Sequence, residues 1–483
     1  MARNPNPPQP VKAAVSPLNL ALHEVEVALT LPAEAVANGA VLALPAWTPG
    51  SYLVRDYCRL LDRIRAEDGQ GRPVPLEKLD KQRWALASAR GSVRVRYRLF
   101  CNEFTVRTNH VDAAHAHLVG AATFLYLEEA GARPYQVSFH GWPEPWRVAT
   151  ALAEADGSYL ARNHDELVDS PFELGTFRRH EFQVAGSDFT LAVTGEHNGD
   201  EGRIEAATRA MVQVCADLFG GFPFRRYLFL LTFSPKAHGG LEHRDCTSLL
   251  ADSLQLEHEE GYLDLFTLIA HEFFHVWNVK RMHDRPLGPF DYSRETHTSL
   301  LWFHEGCTNF MQYALVLRAG VAPWSWVAKE LAGSWTENTI RAGRFEQSLT
   351  EASFDAWTRH YKPNEFSANS TVSYYDKGAM VAWMMDADLR LGSAGKHGLD
   401  RLFTLLWARI GDGVLIDEDL RAAYRELSGL DPEPFWSRYL QGRAELDPLG
   451  IAKAYGLIFN ARAPWEVLPK NLAAGDPAAR RAR

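Results

Sequence analysis

The chain has 483 residues, more than one ordinary domain holds, so two or three domains are expected. Apolar residues make up 46% and charged residues 23%, with no long run of one sign, which excludes a disordered or fibrous chain. The formal net charge of -9 argues against a nucleic-acid binder, which needs a basic face. Five cysteines (Cys58, Cys101, Cys215, Cys246 and Cys307) are few, odd in number and scattered. That pattern argues against both a disulfide framework and a cysteine zinc site.

Met1 to Lys12 is rich in Pro and Asn and lacks the apolar core of a signal peptide. No stretch approaches the roughly 20 apolar residues of a membrane span. The cytoplasm is therefore the expected compartment and no membrane partner is expected, although a non-classical export route stays open. From about residue 18 the pattern has period two. Val25, Val27, Leu29 and Leu31 alternate with Glu24, Glu26, Ala28 and Thr30, and Val93, Val95, Tyr97 and Leu99 with three arginines. Such alternation marks half-buried strands, with a turn at Thr48-Pro49-Gly50-Ser51. Residues 15–178 are predicted to form a sandwich-like β domain.

The texture then changes. Ile204 to Phe219 reads as a helix ended by Gly220-Gly221, and Tyr227 to Phe233 as an apolar strand. Leu263 to Val279 reads as an apolar helix that carries His271 and His275. Residues 321–470 are predicted to be mostly helical, including Leu399 to Ile410 and Asp417 to Leu427, with Asp417 as N-cap. Ala473 to Arg483 is small and charged, and fraying is expected. The whole reads as a multidomain α+β chain without internal repeats.

The central motif is His271-Glu272-Phe273-Phe274-His275. Residues four apart share a helix face, so two imidazoles can reach one metal ion while Glu272 reaches a water on it. A core helix whose histidines bond neighbours would look the same over five residues. A catalytic zinc also needs a third protein ligand and one open position. Downstream lies Leu301-Trp302-Phe303-His304-Glu305-Gly306, in a second apolar helical stretch, where Glu305 and His304 compete for that place. Adjacent helical residues point about 100° apart, so only one of them can serve. Gly239-Gly240-Leu241-Glu242-His243 is either a surface turn or a backbone running close to a ligand, with an acid that can grip a cation. Ser373-Tyr374-Tyr375-Asp376-Lys377-Gly378 opens an apolar helix. A tyrosine there either packs in the core or donates its hydroxyl to an oxyanion.

Together these segments resemble the glycyl-aminopeptidase family of HExxH zinc peptidases, in the gluzincin group. The resemblance covers most of the chain. It includes Trp47-Thr48-Pro49-Gly50-Ser51-Tyr52, Asp169-Ser170-Pro171-Phe172-Glu173, the run from His271 to Lys280-Arg281, and Leu287-Gly288-Pro289-Phe290-Asp291-Tyr292. It implies a thermolysin-like catalytic domain over 179–320 between the β domain and the helical one. It implies one zinc per chain on His271, His275 and Glu305, with Glu272 as general base. The 29 residues between His275 and Glu305 match this family better than related aminopeptidases, where the gap is shorter. Gly240-Leu241-Glu242-His243 resembles a loop whose Glu binds the free amine of the substrate, so Gly240 and Glu242 become substrate-binding candidates. Tyr375-Asp376-Lys377-Gly378 resembles a Tyr-x-Lys-Gly whose Tyr steadies the tetrahedral intermediate. The implied partners are peptides with free N-termini, and the family's name points to glycine or alanine there. Oligomer formation stays open. Members often carry a C-terminal PDZ domain, for which the few tens of residues after Gln441-Gly442 are too few. An endopeptidase, a non-peptide hydrolase on the same fold, and an inactive scaffold are the competing readings.

Overall fold

The computed structural model describes residues 8–128, 133–459 and 472–474. The alternating segments form the strands expected of them. Val25, Val27, Leu29 and Leu31 are buried, and the residues between them are half-exposed. Glu24–Leu31 pairs antiparallel with Val93–Phe100, which sets Glu26 opposite Arg98. The outer face is thereby laced by Arg98 with Glu24 and Asp62 and by Arg96 with Glu26. Opposite charges across a strand pair add modest stability. These strands belong to an eight-stranded sheet that shares one core with two four-stranded sheets. The layered β architecture predicted for the N-terminal part is therefore present.

A five-stranded sheet follows, in the order Arg178–Val184, Ser187–Thr194, Arg226–Ser234, Cys246–Asp252 and Gly239–Glu242. Its inner strands are parallel, and both edges are antiparallel. The helix Glu201–Phe219 makes the parallel crossover. It starts earlier than predicted because the Asp200 carboxylate accepts from the amides of Gly202 and Arg203. It ends at Gly220, which takes the left-handed conformation (φ +74). Gly239 to Glu242 is an edge strand, not a surface turn.

The histidine-bearing helix spans Glu259–Phe274 and stops short of the predicted Val279. Tight turns end it, since Val276 and Trp277 donate to the carbonyls of Phe273 and Phe274 and Val279 has φ +105. The stretch 301–306 is also corrected, because Trp302–Cys307 forms a π-helix that runs on into the α-helix Thr308–Arg318. The later chain is mostly helical, as expected, with Asp376–Gly392 buried at its centre and Leu399–Ile410 where predicted. Asp417 is not an N-cap. Asp419 accepts from the Ile416 amide, and Asp417 binds Arg421 and the Trp436 indole instead. Leu472–Ala474 pairs with Leu457–Phe459, so the predicted fraying does not begin at Ala473, and 475–483 lies outside the described residues. Among the described residues no helix is long and apolar enough to cross a membrane.

Trp47 and Asp169 are among the residues that join the β-rich part to the rest. Trp47 donates to the Asp291 carbonyl at 2.9 Å and packs edge-on against Trp357. Asp169 meets Lys280 Nζ at 2.6 Å, His243 Nδ1 at 3.2 Å and the Arg244 amide at 2.8 Å. Burial works to raise the Asp169 pKa, but Lys280 and His243 outweigh it and hold the carboxyl below its usual range. A depressed carboxyl pKa stabilises the fold above the unfolded value, and that stability is lost as pH falls through it. Asp169→Asn should therefore lower stability by about 2–4 kcal/mol at pH 7. In urea melts the gap should shrink steadily below about pH 4. A gap independent of pH would show that the charge is not what matters.

Candidate active site and metal centre

The last turn of the Glu259–Phe274 helix presents His271, and His275 follows at its C-cap. Their Nε2 atoms lie 3.0 Å apart. Glu305 Oε2 is 3.4 Å from one and 3.3 Å from the other. The other ring nitrogens face acceptors, His271 Nδ1 the Gln312 amide oxygen at 3.1 Å and His275 Nδ1 the Asn278 carbonyl at 2.8 Å. A neutral imidazole that donates from Nδ1 keeps a bare lone pair on Nε2. Two lone pairs and a carboxylate thus converge in a buried space, an arrangement that calls for a cation. A tetrahedral zinc about 2.0 Å from each donor spaces its donors about 3.3 Å apart, which fits this triangle.

Asn278, fully buried, ties the two halves of the triangle together. Its carbonyl orients His275, and its amide nitrogen reaches the carbonyls of Phe303 and His304 and the Thr308 hydroxyl, each at 3.0 Å. His304 takes no part in the triangle. Its Nδ1 donates to the Asn278 side chain at 3.0 Å, and its Nε2 faces Asp284 at 3.5 Å. The π-helix sets Glu305 toward the histidines, and Gly306 lets it lie directly on Gly378 of the helix behind. A Cβ on Gly306 would sit 2.5 Å from the Gly378 Cα and 2.6 Å from the Tyr374 carbonyl.

Two more carboxylates close on the triangle. Donor atoms of Glu242, Glu272 and His275 lie within 4.8 Å of one another. Glu272 is buried, and its Oε2 has no hydrogen-bond partner. Burial pushes its carboxyl up to about 8, with His275 opposing and Glu242 and Glu305 adding to the rise. Space for it comes from Gly240, where a Cβ would lie 2.0 Å from Glu272 Oε1. Space for Glu242 comes from Gly50, where a Cβ would lie 2.6 Å from both Glu242 oxygens. Gly50 also has φ +85, so the turn at Thr48-Pro49-Gly50-Ser51 requires glycine twice over. Arg107 donates to the Gly240 carbonyl at 2.9 Å, so the β-rich part supplies one wall of the cleft. The Tyr375 ring centroid is 6.5 Å from that of His271. Burial and the Glu305 charge raise its phenol well above the usual range, so the hydroxyl keeps its proton. Tyr374 is fully buried against His360 and Tyr375.

All seven residues singled out in the sequence (His271, Glu272, His275, Glu305, Glu242, Gly240 and Tyr375) therefore meet in one cleft. Asn278, Gln312, Arg107 and Gly50 were not singled out. Asn278 had a signal, since it lies within the turn that ends the motif, but Arg107 comes from a distant irregular segment. Gly306→Ala should lower stability by about 1–3 kcal/mol, the usual cost of overpacking. Gly333→Ala, where a Cβ meets nothing within 4 Å inside a helix, should raise it by up to about 1 kcal/mol. Chemical denaturation of both variants checks this, and equal effects would remove Gly306 from the account.

Comparison with known proteins fits this cleft. The family model for the Peptidase M61 N-terminal domain matches residues 12–176, and that for the M61 glycyl aminopeptidase matches residues 264–381. A search of curated proteins gives no match. Among solved structures, an aminopeptidase N family protein from Idiomarina loihiensis superposes with a TM-score of 0.90 at 30% identity, over 94% of this chain and 79% of that one. An M1 zinc metallopeptidase from Deinococcus radiodurans, solved as a mutant bound to a Tyr-Ser-Ala substrate, shares the fold with a TM-score of 0.53 at 14% identity, over 92% of this chain and 96% of that one. With the N-terminal and catalytic segments both matched and nearly the whole chain superposed at that identity, this protein belongs to the M61 glycyl aminopeptidase family and is a metallopeptidase.

Proposed function

We propose that this enzyme removes the N-terminal residue from peptides with a free amine, using one zinc ion held in the cleft by His271, His275 and Glu305. The observation that carries the reading is the convergence of Glu242 and Glu272 beside His275. One carboxylate is suited to proton transfer, and a second stands close enough to fix the substrate's end. When bound, zinc polarises the scissile carbonyl and lowers the pKa of a water to about 7.

A cation bound beside Glu272 would favour its ionised form, and as a carboxylate it would take the proton of the attacking water and pass it to the leaving amine. Its single-sided setting, with Oε2 unpartnered and Gly240 leaving it room, suits a base that exchanges protons with substrate. The Tyr375 hydroxyl donates to the developing oxyanion. Glu242 binds the ammonium of the first residue by charge-assisted hydrogen bonds. Its backbone lies on the edge strand that also seats Gly240, so the amine anchor and the base keep a fixed spacing. A fixed spacing of that kind limits the cleft to one residue before the cut.

Glu272→Gln should keep the metal and lower kcat by about 10²–10⁴-fold. Metal analysis and steady-state kinetics on the same sample test this, and a near-normal kcat would remove Glu272 from its role.

A free α-amine has a pKa near 8 and is largely protonated at neutral pH. Peptides with a free N-terminus should therefore be cleaved far faster than their acetylated forms. Glu242→Ala should shrink that preference by about 10–100-fold, equivalent to 1.5–3 kcal/mol for a hydrogen bond to a charged group. Internal cleavage of acetylated peptides at comparable rates would make the enzyme an endopeptidase with the same metal chemistry.

A further inference from the structure

The rear face of the five-stranded sheet looks onto a second group of metal-ligating side chains, outside the cleft. Phe229, Leu231 and Leu249 of that sheet join the core beneath the His271 helix. Leu230, Thr232 and Ser248 point the other way, into a narrow cavity whose opposite wall sets His110, His115 and His117 beside Phe104 and Val106. The histidines come from His110–Val111 and His115–Leu118, neighbouring strands of the β-rich part. The surroundings are mostly apolar, with Phe104, Val106 and Leu250 among them, so the histidines are polar groups set in an apolar interface.

Glu173, on the next strand, accepts from His115 Nδ1 at 2.8 Å and from His117 Nδ1 at 3.1 Å. Each imidazole then has a bare Nε2 to offer. The His117 Nε2 is buried, with no partner, in a residue only 8% exposed. His110 Nε2 lies 3.2 Å from Asp112 Oδ2, and its Nδ1 is also buried without a partner. The Ser248 hydroxyl on the facing wall is unpartnered as well. Donor atoms of His110, Asp112 and His115 all fall within 4.8 Å of one another.

We propose that His110, Asp112 and His115 form a second divalent-metal site, non-catalytic, which pins the hairpin of the β-rich part that faces the rear of the catalytic sheet. Two imidazoles and a carboxylate suit zinc and other late divalent ions. The 3.2 Å between His110 Nε2 and Asp112 Oδ2 already matches the roughly 3.3 Å between donors around zinc. Glu173 plays the part of the outer carboxylate that fixes the tautomer and orientation of a ligating histidine. Asp112 is about one-third exposed, which opens a path for the ion.

The test is equilibrium dialysis of the chelator-stripped full-length enzyme against Zn²⁺, with bound metal counted per chain. Wild type should bind two equivalents. Asp112→Asn and His115→Ala should each bind one and retain peptidase activity. Asp112→Asn preserves the oxygen that caps the Ala114 and His115 amides, so it guards against simple misfolding. His271→Ala should lose the other equivalent together with activity, which separates failure at the cleft from failure here. One equivalent in wild type, or two in both Asp112→Asn and His115→Ala, would overturn the proposal.

Discussion

Two imidazole nitrogens and a carboxylate are packed against one another in a buried space, and the fold holds them there. The Nε2 atoms of His271 and His275 and the Oε2 of Glu305 meet within 3.4 Å. Burying such a group without a cation is costly, so the surrounding structure must fix each member from behind. Asn278 does this for His275 and for the π-helix bearing Glu305, and Gln312 does it for His271. The Gly306–Gly378 contact lets a whole helix buttress Glu305 with no side chain between. Even the π-helix has a place in this scheme. Such turns are short and uncommon, and they recur at functional sites because they redirect a side chain.

The cleft is also a joint. Glu272 and the histidines belong to one helix, Glu242 and Gly240 to the edge strand, Gly50 and Arg107 to the β-rich part, and Tyr375 to the end of a later helix. Each glycine at this joint gives up a side chain where another element needs its space. Gly240 yields to Glu272 and Gly50 to Glu242. The Trp47 and Asp169 contacts hold the β-rich part at the distance these approaches require. The conformation of the 48–51 turn thus bears directly on where an amine-binding carboxylate can stand.

Much of this was legible in the sequence, for physical reasons. Period-two alternation exposed the strands around Val27 and Val95, because one face of each is buried and the other wet. His271, Glu272 and His275 were legible because the geometry of a helix demands their spacing. Glu305 was separable from His304 only through resemblance, since periodicity cannot say which of two adjacent polar residues turns inward, and a π-helix alters the period itself. The end of the His271 helix was misplaced because Val276 and Trp277 are as apolar as helix residues, although they pack within tight turns. The Gly239–Glu242 edge strand was obscured by its glycines, which locally signal a turn. Arg107, the His110 cluster and the approach of Gly50 to Glu242 were illegible, because each depends on distant segments meeting, and no local pattern encodes that contact.

The central claim is that the triangle of His271, His275 and Glu305 is the seat of the metal. The most direct measurement is anomalous X-ray scattering from crystals of the full chain, recorded on both sides of the zinc absorption edge. The account predicts an edge-dependent peak about 2.0–2.2 Å from His271 Nε2, His275 Nε2 and a Glu305 carboxylate oxygen. A zinc-replete crystal with no such peak in the triangle, or with zinc bound by His304 instead of Glu305, would contradict it.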